Sequence, residues 1–298
     1  MIRVGLACIV GIAGVVGVVA CGAPRVTDHA TLAVAAADRM VVIPAGRYVA
    51  GSTPEERAAA YDDYQATAKR DVARENHWFD REEERHVAQL PAFRIDLLPV
   101  TQAEYAEYVA TGKVKAPTMD AATWRAQGFS QDYEVEVRRY VWRDNRPPPG
   151  REDHPVVLVS WRDAAGYCAW RGHRLPTAAE YEKAARGDNG LAYPWGNTFD
   201  AARLDSAVAG PRDTEAVGNF PGGASPFGVL GMAGNAFEWT ATPWREPGAS
   251  VTEPATKMTV KGSAWDDFGG VGRGASGHGR AVDARHVIVG FRCAADAT

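Results

Sequence analysis

The residues best equipped for chemistry crowd into one stretch, 261–286, which reads KGSAWDDFGGVGRGASGHGRAVDARH. Asp266, Asp267, Asp283, His278, His286, Arg273, Arg280 and Arg285 sit there among seven glycines. So much Gly and charge predicts a loop, and loops carried on a rigid scaffold are where sites concentrate. Two His with a carboxylate could make a facial site for non-haem iron. The simpler expectation is that Arg–Asp pairs hold the loops together. No tight H-x-x-x-H-x-E spacing occurs anywhere in the chain. His77, His86 and His154 read as structural or surface residues, and His173 beside Arg174 as solvated.

The rest of the chain must position that stretch. Its 298 residues are 46% apolar and 23% charged, ordinary for a globular protein and against wholesale disorder. Four Cys are too few to staple a fold of this size, and a net charge of −4 gives no sign of nucleic-acid binding. Nine Trp, 31 Gly and 18 Pro predict a loop-rich domain with aromatic anchors rather than a helix bundle.

Residues 1–20, MIRVGLACIVGIAGVVGVVA, have one early positive charge and then an apolar run, as a secretory signal peptide does. A membrane-spanning anchor is the competing reading, weakened by the Gly content. Residues 21–39 read as a flexible tether.

From Met40 the pattern is that of one domain, 40–298, with charged or polar insertions at about 54–86 and 113–150. Strands are expected at 40–43, from Arg47, at 93–97 and at 154–161. Thr101 with Glu104, Ser160 or Asp163, and Thr177 with Glu180 mark helix starts, and Gly187 a helix stop.

An ordered set of motifs carries a resemblance: MVVIPAGRY (40–48), FRIDLLPVTQAEYAEYV (93–109), HPVVLVSWRDAAGYCAWRGHRLPTAAEYEKAARG (154–187), YPWGN (193–197), FGVLGMAGNAFEW (227–239), KGSAW (261–265) and VGFRCAAD (289–296). In order and spacing they resemble the formylglycine-generating enzyme, or sulfatase-modifying factor, family. The resemblance implies a single α+β, loop-rich domain related to C-type lectins, with Trp161, Trp170, Trp195, Trp239 and Trp265 as core anchors. It makes 261–286 the lining of the substrate cleft, with Ser263, Trp265, Asp266, Asp267, Arg273, His278, Arg280 and His286 as candidates. It also implies a Cys168–Cys293 disulfide, because Val18-Val19-Ala20-Cys21 resembles a lipobox and points to an exported protein lipidated on Cys21.

The family's oxidase activity resembles copper-dependent O₂ activation on two cysteines, since soft thiolates select Cu(I). The first lies three residues after the Ser of the Gly-Ser motif, where this chain has Asp266; the second falls on Val271. Copper oxidase chemistry is therefore not expected. One family calcium site maps to Gly234, Ala236 and Glu238, with its side-chain ligand position on Gly231; the other falls near Leu204-Asp205. Calcium remains possible. Three functions stay open: a binding or scaffold lipoprotein with an envelope protein partner, an enzyme of altered oxidative chemistry, and a lectin-like ligand- or glycan-binding module. The iron-dependent ergothioneine branch lacks its motif here.

Overall fold

The computed structural model describes residues 40–129, 131–245 and 254–297. The signal peptide, Cys21 and the tether lie outside the described residues. Alternating Phe93, Arg94 and Ile95 put two apolar side chains into the core and the Arg outward. That strand, β4 (Phe93–Asp96), is the middle of a three-stranded sheet. On one side β1 (Met40–Ile43) pairs antiparallel with Ile43 opposite Phe93; on the other lies β9 (Ala294–Asp296), so the two ends of the domain share a sheet. A two-stranded ribbon, β2 (Gly46–Ala50) with β3 (His86–Leu90), brackets the first insertion. A four-stranded sheet runs β7 (Gly277–Ala281), β6 (Lys257–Lys261), β5 (Phe237–Pro243), β8 (Val289–Gly290), antiparallel except for β5–β8.

Short helices survive between the loops because their ends are capped. Reciprocal capping boxes start α1 (Pro54–Ala68; Thr53 with Glu56), α3 (Gln102–Ala110; Thr101 with Glu104), α5 (Trp161–Trp170; Ser160 with Asp163) and α6 (Ala178–Arg186; Thr177 with Glu180). Each cap contributes about 1 kcal/mol by satisfying end N–H groups that a short helix otherwise leaves unpaired. Two smaller helices, α2 (Val72–Glu75) and α4 (Ala121–Ala126), lie in the insertions, the second followed by a π-helical turn at Tyr133–Val137. Gly187 ends α6 at φ 66°, and a Cβ there would lie 2.8 Å from the Pro226 ring.

The structure corrects two expectations. Residues 154–161 are mostly buried but form no regular strand, because Leu158 takes φ 60° and their N–H groups leave in different directions. Val156 donates to the Val100 carbonyl and Leu158 to that of His286. Trp170 is 37% exposed, and Trp161 and Trp195 are half-buried, whereas Trp239 and Trp265 are core. The second insertion supplies the unexpected anchors Trp124 and Trp142, both buried.

Several buried charges are closed by partners. Arg292 bonds both oxygens of Glu238, at 2.6 and 2.8 Å. Glu182 accepts from Arg186 at 2.6 Å, Gly51 N at 2.8 Å and Lys261 at 3.2 Å. Burial pushes its carboxyl up, but the two cations and the amide outweigh it and hold it below its ordinary range. Cys168 on α5 and Cys293, just before β9, form a disulfide across 125 residues. Closing a loop of that length removes about 4–5 kcal/mol of unfolded-chain entropy. Reduction should therefore lower the melting temperature by roughly 10–20 °C. Thermal denaturation with and without dithiothreitol checks this.

Candidate functional site

A cleft of about 620 Å³ opens where the Gly-rich stretch meets both insertions. Its floor is β7 and the loop before it, with Asp266, Asp267, Val271, His278 and Arg280; Phe237 and His286 close the back. Asn76, His77, Trp78 and Phe79 of the first insertion form one wall, and Phe129 and Gln131 of the second form another.

The first wall is pinned to the loop. Helix α1 comes so close that a Cβ on Gly270, at φ 85°, would lie 2.2 Å from the Ala60 carbonyl. Gly269 N donates to Thr67 Oγ1 at 2.9 Å, and the Tyr193 hydroxyl accepts from Gly270 N at 3.0 Å while donating to Asp63 at 2.9 Å. Arg273 pairs with Glu82, both almost fully buried, and its guanidinium lies over the Phe79 ring. On the other wall, the indole N–H of Trp124 donates to the Gln131 carbonyl at 2.8 Å, and Phe129 meets the His286 ring edge-on at 4.1 Å.

The cleft holds charge that the protein leaves open. Asp266 and Asp267 are half-buried neighbours. Burial pushes both carboxyls up, Asp267 well above the ordinary range because it also faces Asp266. Asp267 accepts from Ala264 N at 2.9 Å, while Asp266 Oδ1 is buried without a partner. Arg280 is pushed down by burial, and Nε donates to His278 Nε2 at 3.1 Å. That bond puts the proton of a neutral His278 on Nδ1, and burial with the adjacent Arg280 lowers this imidazole to about 3. His286 accepts from Ile288 N through Nδ1 at 3.2 Å, leaving Nε2–H as its donor; burial and Arg280 hold it neutral as well. The arrangement offers a carboxyl pair, a guanidinium and two neutral imidazoles on an aromatic lining.

Five of the eight candidates, Asp266, Asp267, His278, Arg280 and His286, line this cleft. Three do not. Ser263 is buried and accepts from Gly234 N at 2.8 Å. Trp265 is core, with Arg139 over its ring. Arg273 is spent on Glu82. Arg–Asp pairs do hold part of the stretch, through partners outside it: Asp283 pairs with Arg162, and Arg285 with Asp163. Trp78, Phe79, Phe129 and Trp244 line the cleft although nothing in the motif pattern marked them; their only signal was aromatic residues placed in or beside polar segments.

A calcium ion does not fit at Gly234, Ala236 and Glu238. Both Glu238 oxygens are taken by Arg292, which also donates to the carbonyls of Leu230 at 2.9 Å and Gly231 at 3.1 Å. A guanidinium thus uses the acceptors a cation would need. Asp205 is different. It is 1% exposed, both its oxygens lack partners, and burial with Glu215 and Asp213 pushes its carboxyl up to about 8. Tyr140 and Arg151 already bond Asp213, and among the described residues no three His, Cys, Asp or Glu side chains gather as a metal site, so Asp205 is the one group there that would hold a hard dication. Calcium is expected to raise the melting temperature of chelator-treated protein and to leave Asp205→Asn unmoved. At neutral pH that variant should itself melt higher than calcium-free wild type, having lost a carboxyl that must take up a proton to be buried; differential scanning fluorimetry reads both.

A family model described as the sulfatase-modifying factor enzyme 1-like domain matches residues 26–297. A Bos taurus protein named inactive C-alpha-formylglycine-generating enzyme 2 is 32% identical over 245 residues, covering 69% of this chain and 77% of that protein. The formylglycine-generating enzyme of Mycobacterium tuberculosis is 33% identical over 271 residues, covering 71% and 90%. A hercynine oxygenase of Mycolicibacterium smegmatis is 34% identical over 189 residues, 59% of this chain but 43% of the oxygenase. The structure of PvdO from Pseudomonas aeruginosa matches with a TM-score of 0.63 at 23% identity, covering 87% of this chain and 94% of that one, a likeness of fold. With its α+β, loop-rich domain and its motifs in order, this chain belongs to the sulfatase-modifying factor family, that of the formylglycine-generating enzymes.

Proposed function

We propose that this protein is a ligand- or partner-binding member of the family, exported and lipid-anchored through Cys21, and not a thiol oxidase. Its place is the cell envelope, its partner an envelope protein or a ligand taken into the cleft. One observation carries the reading: the two cleft positions that bear the family's thiols hold Asp266 and Val271. A carboxylate is a hard ligand and a Val side chain has no donor atom, so the pair cannot replace the two thiolates that hold Cu(I). The relative named inactive is consistent with loss of oxidase activity within the family. The Cys168–Cys293 disulfide suits an exported protein.

A sulfatase-type Cys peptide incubated with the protein and copper should keep its thiol, with no formylglycine by mass spectrometry. Restoring one thiol by Asp266→Cys should change nothing, because one sulfur does not make a two-sulfur site. Robust formylglycine formation by the wild type would contradict the reading. In cells, Cys21→Ser should abolish membrane retention or leave the precursor uncleaved.

A further inference from the structure

We propose that the cleft is built for a zwitterion, a ligand of amino-acid or dipeptide size bearing a protonated amine and a carboxylate. The proposal rests on the cleft being a binding site, as argued above, and adds what it binds. Its basis is that both signs of charge face one cavity and neither closes the other. Among the described residues, Asp266, Asp267 and Arg280 make no ion pair within 4.0 Å. Elsewhere most buried charges are closed, as Glu82–Arg273, Glu238–Arg292 and Glu182 with Arg186 and Lys261 show, with Asp205 the exception.

The open groups are also held in place. Arg280 is fixed by its Nε bond to His278 and lies over the Phe129 ring at 5.8 Å. Its two terminal nitrogens have no acceptor among the described residues, a fork that matches a carboxylate. His286 Nε2–H is a second donor to the same cavity. On the acidic side, Asp266 Oδ1 is buried with no donor, beside a second carboxyl. An ammonium group carries three N–H donors and would replace the proton that two adjacent carboxyls otherwise share. A ligand with only one charge would leave the other set desolvated and unpaired, which costs affinity. The volume, about 620 Å³, lies within the ordinary range for small-molecule sites. Trp244 packs so tightly on Gly279 that a Cβ there would lie 2.2 Å from its ring, giving the ligand's apolar part a fixed aromatic surface.

Isothermal titration calorimetry of the full-length protein would compare L-phenylalanine and glycyl-L-phenylalanine with L-phenylalaninamide, which lacks the carboxylate, and N-acetyl-L-phenylalanine, which lacks the amine. The proposal expects at least one zwitterion to bind tenfold or more tighter than either singly charged analogue. Asp266→Asn and Arg280→Gln should each lose that preference, while Asp283→Asn, on the exposed pair with Arg162, should keep it. Equal binding of the amide or the acetylated acid would overturn the zwitterion and leave the cleft a binding site. No binding of either zwitterion, with the variants melting well below wild type, would overturn both readings.

Discussion

The Arg292 guanidinium is the fixed point of this fold. It is fully buried and bonds Glu238 on β5 twice, while its remaining donors take the carbonyls of Asp96, Leu230 and Gly231. Three segments far apart in sequence, around Asp96, at 230–238 and at Arg292 itself, thus meet on one side chain. The next residue, Cys293, gives its N–H to Asp96 at 2.8 Å and its sulfur to Cys168 on α5. Breaking such a pair from one side strands a charge in the core and costs about 3–5 kcal/mol. The consequence reaches the cleft through the ladder: Glu238 lies opposite Lys261 on β6, and β6 sets Val260 opposite His278 and Met258 opposite Arg280 on β7. The cleft floor is therefore as rigid as the arginine that anchors β5.

The same protein treats charge in two ways. In the core, Lys183 is fully buried yet donates to the carbonyls of Pro44 and Gly46, and Arg186 takes Glu182 and three backbone oxygens. In the cleft, Asp266, Asp267 and Arg280 are positioned without being paired. A chain that closes most of its interior charges, with Asp205 the other exception, retains open ones at a cost in stability, which is the pattern of a site rather than of a scaffold.

Local signals were legible in the sequence because their physics is local. Thr101–Glu104 and Thr177–Glu180 are three residues apart, and each pair forms the reciprocal cap its spacing implies. Gly187 stops α6 because only an unbranched backbone fits beside Pro226. The cleft was half legible. Asp266, His278, Arg280 and His286 share one stretch, and the family motif pointed to it. The walls were not, since they depend on contacts such as Glu82 to Arg273, which are 191 residues apart. Arg273 shows the limit most clearly: nothing in its neighbours distinguishes it from Arg280, yet one is consumed by an insertion and the other faces the cavity. Residues 154–161 misled because a continuous apolar run reports burial, and burial here comes without a strand ladder.

The central claim is that Asp266 and Arg280 are held open for a ligand rather than bonded for stability. The melting temperature of ligand-free Asp266→Asn tests it most directly. An open site predicts a value equal to or above wild type, since the substitution removes a desolvated charge that no protein cation pairs and keeps an amide beside Gln131. A fall of several degrees would show that the carboxylate is paired within the fold and would contradict the account.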